Sequence, residues 1–382
     1  MPAPMLPRVS AAPAEKRTPF LLTAHGWPYM LVPFIPLALA LELAHAGPVL
    51  VFVTSALGVI PTAALMGRAT EELAARAGPG IGGLLNVTFG NAPELIIALF
   101  ALNAGLQEVT KASIVGSIIG NVLLVLGASM FVGGLGRERQ RFNQTTASAQ
   151  SSMLLLAVVA MMMPAVFELV QGQGLPSPTA ELVDFDTDVE KLSLITAVVL
   201  IGAYVSGLVF SLRTHRDLFN PADESGQEDH LGEPWSVRRS VFALSVAGAA
   251  VALMSEILVG SISETAEKAG ISEFFIGAIV GNAAEHWVAV LVARKDKMDL
   301  AVNIAIGSGA QIALFVAPVL VLASYVIGPG PMPLVFNGFE LAALLAAGLI
   351  ANQVTQDGES TWFEGVQLLC VYAIIAVAFY FA

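Results

Sequence analysis

Apolar residues in this chain come in long runs separated by short polar joints. Eleven runs stand out, near residues 29–46, 48–66, 84–106, 112–134, 150–170, 192–212, 239–260, 274–294, 299–327, 333–351 and 362–381. A helix of about 20 apolar residues crosses a bilayer core, and a helix satisfies its own backbone hydrogen bonds, as lipid demands. Each run therefore predicts one helical span. The first two are parted only by Gly47-Pro48, a breaker pair. Residues 1–28 are rich in proline and alanine, without a compact apolar stretch, and predict a disordered cytoplasmic tail with no cleavable leader.

Composition agrees with the pattern. The 382 residues are 56% hydrophobic and 13% charged, with a mean hydropathy of +0.75. Soluble domains carry about 25% charged residues, so the chain reads as a multi-pass membrane protein. The formal net charge of −12 disfavours nucleic acid as a partner. One cysteine, Cys370, excludes an intramolecular disulfide and a cysteine-based metal site. Orientation follows from the basic residues. With the N-terminus in the cytoplasm, 15 of the 18 Lys and Arg fall on the cytoplasmic side, and only Lys111, Lys191 and Lys268 fall opposite. That is the expected positive-inside asymmetry. The compact loops suggest a bacterial inner membrane.

The chain also repeats itself. Gly90-Asn91-Ala92-Pro93-Glu94 returns 191 residues later as Gly281-Asn282-Ala283-Ala284-Glu285, and Gly116-Ser117 returns at the same offset as Gly307-Ser308. Each repeat then holds five spans, with the first span left outside. Five is odd, so the second copy enters the membrane from the opposite side. The expected fold is all-α, with eleven transmembrane helices arranged as one plus two inverted five-helix repeats. In such folds the site lies near the midplane, at the repeat interface. The predicted units are the tail 1–28, the first helix 29–47, repeat one 48–212, an acidic cytoplasmic linker 213–236 and repeat two 237–382.

A carboxylate inside a membrane span is costly and marks function. Asn91 and Glu94, three residues apart, share a helix face. Gly90 admits a neighbouring backbone, and Pro93 disturbs the bond to the carbonyl of residue 89. The eighth span repeats the pair as Asn282 and Glu285. The following spans add Ser117 and Asn121 in one half, and Ser308 and Gln311 in the other. All are oxygen ligands, which suit Ca²⁺ or Mg²⁺. Two carboxylates neutralise one divalent cation. When it leaves they repel each other, so protons can take its place. Exchange of a divalent cation for protons follows from charge balance at one site. His286 points about 100° away from Glu285 on a helix. It is a proton relay, a support for a ligand, or a packed histidine.

These residues resemble the cation/proton antiporter (CAX) family of the calcium/cation antiporter superfamily. The two Gly-Asn-Ala motifs, the second extended by His286, are similar to its two signature regions. Gly116-Ser117-Ile118-Ile119-Gly120-Asn121 and Gly307-Ser308-Gly309-Ala310-Gln311 resemble the segments that follow them. The likeness spans roughly residues 30–382. It implies the one-plus-five-plus-five fold, export of Ca²⁺ against inward proton flow, and a central binding role for Glu94 and Glu285. It also implies an acidic segment between the sixth and seventh spans. The stretch 213–235 fits, but its mixed charge reads better as a solvated linker.

Other polar residues are weighed beside these. Glu256, within the seventh span, is a pathway carboxylate or a side chain snorkelling near a helix end. Glu71, Glu72 and Glu264 sit near helix ends, and Glu340 is expected to face water. Na⁺/Ca²⁺ exchange on the same fold is the alternative, and a passive channel a weaker one. No nucleophile–base pair or zinc-ligand pair points to an enzyme, and no cofactor is expected beyond the transported ions. The expected partners are Ca²⁺, H⁺ and the bilayer, with a homo-oligomer left open.

Overall fold

A computed structural model describes residues 26–177, 185–215, 235–280 and 287–382. The tail 1–25, most of the linker 213–236 and the second motif, 281–286, lie outside the described residues. After a 3-10 turn at Trp27–Leu31 the helices are α1 (Phe34–Leu43), α2 (Pro48–Phe89), α3 (Ala92–Asn103), α4 (Gln107–Ile119), α5 (Leu126–Gly134), α6 (Gln144–Val170) and α7 (Thr187–Val209). The second half holds α8 (Val237–Gly260), α9 (Ile262–Ala269), α10 (Glu273–Phe275), α11 (Trp287–Arg294), α12 (Met298–Gln311), α13 (Ala317–Ala323), α14 (Gly338–Val354) and α15 (Trp362–Phe381). Seven described helices are long and apolar enough to cross a membrane, among them Pro48–Ala77, Gln107–Gly134 and Met298–Ala323. Trp27–Leu43, Ala92–Asn103 and Gly338–Val354 are shorter apolar helices.

Loop contacts sort into two ends. At one end Gln140 Nε2 donates to Asp296 (2.8 Å), and Arg137 donates to the carbonyl of Arg294 (3.1 Å). There Gln140–Arg141 (β1) pairs antiparallel with Glu359–Ser360 (β2). Arg139 and Arg141 both bind Glu359 (2.7 and 3.2 Å). Hydrogen bonding from Arg139, aided by Arg141, holds the Glu359 carboxyl below the usual carboxylate range. These pairs therefore persist at neutral pH and weaken only as pH falls through that lowered value. At the opposite end Gln107 donates to the carbonyl of Gly330 (2.9 Å), and the Ser193 hydroxyl accepts the Leu334 N–H (3.0 Å). Residues 46–52, 101–109 and 262–271 pack together at that end. The first group is the arginine-rich end.

Helices α2 and α8 run antiparallel. Val51 and Phe52 cluster with Leu258 and Ile262. Gly58 lies against Met254, and Met66 against Gly248. Farther along, the Glu72 carboxylate accepts the Trp235 N–H (2.9 Å), and the Arg68 and Arg239 guanidiniums lie over the Trp235 ring. Partners fall steadily in number along α8 as they rise along α2.

The structure departs from the expected spans in specific ways. The second run is helical well past residue 66, and α2 is not straight. Gly82 lies against the carbonyl of Ala74, eight residues back, which a straight helix would place about 12 Å away. The sequence between these two residues holds Gly78-Pro79-Gly80, a missing N–H and two glycines, which weaken a helix. The third run, 84–106, is two pieces, because the helix stops at Phe89 and restarts at Ala92. Pro93 therefore starts a helix instead of kinking one, and in the first turn its missing N–H costs little. In the eighth run, α10 passes into a π turn, Ile276–Val280, and α11 begins at Trp287, on the far side of the second motif.

Glu340 does not face water. It is fully buried and closes a capping box with Asn337. Nearby Lys111, 1% exposed, binds Glu108 (2.6 Å) and the carbonyl of Val335 (2.8 Å). Tertiary packing of the 331–337 segment covers groups that their position near a helix end left open to solvent.

Candidate ion-binding site

The first motif sits at a helix break. Asn91 is the N-cap of α3, yet its side chain does not cap that helix. An N-cap asparagine ordinarily accepts from its own second or third N–H. Here Asn91 Nδ2 donates to Gln311 Oε1 (2.6 Å), and its Oδ1 accepts from the Ser308 hydroxyl (2.6 Å). The same hydroxyl oxygen accepts from Asn121 Nδ2 (3.2 Å). Four of the residues marked in the sequence thus form one chain: Asn121, Ser308, Asn91 and Gln311. Two come from each repeat.

Glu94 lies three residues on, in the first turn of α3, and is buried. The positive end of a helix favours a negative charge there. Glu94 lines a cavity of about 190 Å³ between α2, α3, α4, α8, α9 and the π turn after α10. Ser117 is buried one turn before Asn121 on the same helix face. Asn121 Oδ1 is buried with no hydrogen-bond partner, and a buried orphan acceptor calls for an occupant. Among the described residues no three His, Cys, Asp or Glu side chains gather as a metal cluster. The oxygens available are those of one carboxylate, amides and hydroxyls, which fit a hard cation in transit.

Two π turns lie at the site residues: Gly120–Val125, which contains Asn121, and Ile312–Val316, which follows Gln311 directly. The 191-residue register relates them. A π turn inserts one residue into the helix and often marks a functional site. Close backbone approach also joins the repeats. A side chain at Gly116 would collide with the carbonyl of Ala278, and one at Gly277 would lie 3.0 Å from the carbonyl of Val109. Small residues permit such contacts.

Three marked residues, Asn282, Glu285 and His286, lie outside the described residues. Glu256 is exposed on α8 and is not brought to the site. Two polar residues escaped the sequence reading. Ser113 lines the Glu94 cavity, and Gln150 of α6 lies near Gly307, its Oε1 buried and unpartnered. Neither stands at a repeated position, so register could not reveal them.

The central hydroxyl gives a test. Ser308→Ala leaves Asn91 Oδ1 and Asn121 Nδ2 without their common partner. Leaving a buried polar group unsatisfied costs roughly 1–3 kcal/mol. A lower melting temperature and a Ca²⁺ KM raised about tenfold are expected, checked by thermal melting and vesicle uptake.

Comparison with known proteins adds four findings. The family model described as sodium/calcium exchanger protein matches residues 47–213 and 239–381. A Ca²⁺/H⁺ antiporter of Synechocystis sp. is 44% identical over 92% of this chain and 96% of its own. The Ca²⁺/H⁺ antiporter ChaA of Bacillus subtilis is 44% identical over 94% of this chain and 98% of its own. A solved structure of native YfkE superposes with a TM-score of 0.77 at 40% identity, covering 93% of this chain and 100% of that one.

Proposed function

The chain belongs to the sodium/calcium exchanger protein family, and from that premise we propose that it exchanges Ca²⁺ for protons across a membrane by alternating access. The observation that carries the reading is the polar chain from Asn121 through Ser308 and Asn91 to Gln311. It joins oxygen-bearing groups of both repeats at a broken helix, beside a buried carboxylate. Broken helices meeting at a repeat interface are how many secondary transporters hold ions.

Glu94 and Glu285 bind the cation and protons in turn. Asn91, Asn282, Ser117, Ser308 and Gln311 complete or support the site, and Asn121 and His286 lie beside it. Two carboxylates and Ca²⁺ are neutral together. Without the cation, the pair lowers its repulsion by taking protons. The empty and loaded sites can then both cross a region of low dielectric without a large net charge.

The architecture in this reading is eleven helices, one plus two inverted repeats of five, with the arginine-rich end in the cytoplasm of a bacterial inner membrane. The antiparallel α2–α8 pair and the matched π turns support it. Na⁺/Ca²⁺ exchange is the second reading, since the family description includes it. The two relatives at 44% identity, both Ca²⁺/H⁺ antiporters, favour the first. Purified protein in sealed vesicles separates them. Uptake of Ca²⁺ driven by a pH gradient, unchanged by sodium, is expected. Uptake driven by a sodium gradient and indifferent to pH would decide for the second.

A further inference from the structure

Helix α4 is buried along nearly its whole length. Twelve of its 13 residues are buried, and the exception is Ser113. The exception has a cause. Ser113 opens into the cavity that also holds Glu94, and among the described residues these two are the only polar side chains in its lining. The remaining wall is apolar or glycine, with Phe52, Ile97, Ala101 and Ile262 among it. Ser113 also lies one turn from Ser117, on the same face of the helix.

The cavity has a direction. Along α3 it runs from Glu94 to Ala101, and along α2 from Ile60 to Phe52. Both paths lead away from the arginine-rich end, over about 10–12 Å at the rise of a helix. Among the described residues, the wall offers a cation approaching Glu94 this way almost no side-chain oxygen. Ca²⁺ takes six to eight oxygen ligands, so water must supply most of them. One wall oxygen besides Glu94 is in place, the Ser113 hydroxyl.

We propose that Ser113 is a ligand residue for Ca²⁺ on the side of the site facing away from the arginine-rich end. The proposal rests on the exchange reading given above and adds a residue to it. It also makes the two half-sites unequal. The 191-residue register places Ile304 opposite Ser113, and isoleucine offers no ligand. A Ca²⁺ ion leaving or entering by the Ser113 face exchanges waters for a fixed hydroxyl. The other face has no such step at the equivalent position.

Sidedness distinguishes this role from a packing role. Full-length wild type, Ser113→Ala and Ser113→Thr are reconstituted in vesicles, and Ca²⁺ is presented to each face in turn. Protease access to the 135–143 loop assigns the face. With Ca²⁺ at the face away from the arginine-rich end, Ser113→Ala is expected to raise KM about tenfold, as for loss of a hydrogen bond to a charged group. Its maximal rate and its KM at the arginine-rich face stay near wild type, and Ser113→Thr behaves as wild type because it keeps the hydroxyl. No shift in KM, an equal shift on both faces, or equal damage by threonine would overturn the proposal. Failure of the wild type to exchange Ca²⁺ for protons would instead overturn the functional reading beneath it.

Discussion

A Glu94→Gln protein loses Ca²⁺ transport under a proton gradient while remaining folded. Glutamine keeps the shape and one oxygen, but has neither the charge that balances Ca²⁺ nor a site for a proton. Glu94 is buried in a cavity whose only other polar lining residue among the described residues is Ser113, and a hydroxyl cannot replace the carboxylate. Removing one member of a buried charge interaction costs about 2–5 kcal/mol. That corresponds to at least about thirtyfold in affinity, and loss of the proton site removes the return step as well. Uptake of labelled Ca²⁺ in vesicles measures the loss. A single symmetric peak in size-exclusion chromatography shows that the fold survives.

The second large effect separates two glycines that the sequence presents as equals. Gly116→Ala places a methyl group on the backbone of Ala278, where neither helix has a flexible end to move. Forced overpacking costs 1–3 kcal/mol or more, and here the contact holds α4 against the segment leading to the second motif. Loss of folded protein, or a melting temperature lower by many degrees, is expected. Gly307→Ala meets the amide of Gln150 at 3.4 Å, the tip of a flexible side chain. Alanine is favoured over glycine in a helix by about 1 kcal/mol, so stability should hold or rise slightly. Thermal melting of both purified variants reads the contrast.

That contrast shows where sequence reasoning stops. The runs of apolar residues were legible because crossing a bilayer is a local demand on length. The paired motif was legible because register survives in a linear string: it marked Asn91 and Ser308, while Asn121 and Gln311 stood out only as polar residues in the apolar spans that follow. The break at Gly90–Asn91 was less visible, although a signal existed. Asn91, Pro93 and Glu94 stand at the N-cap, second and third positions of α3, a pattern that starts helices. The continuous apolar run around them masked it.

Other features had no local signal. Whether Ser113 faces a neighbour or a gap depends on how six elements meet around the cavity. The π turns carry no composition of their own. Glu340 lies near a helix end, where solvent is the ordinary expectation, yet tertiary packing buries it, and its carboxylate accepts the Asn337 N–H. Glu256 shows the converse. An intramembrane carboxylate suggests a pathway, but the face of α8 that carries it is turned outward.

The central claim is that one site holds either Ca²⁺ or protons. Its most direct measurement is proton release when Ca²⁺ is added to the purified, detergent-solubilised protein in weakly buffered solution. The account predicts that binding expels protons, that raising the pH tightens Ca²⁺ binding, and that Glu94→Gln abolishes the release. Tight Ca²⁺ binding with no proton release, and no dependence on pH, would contradict it.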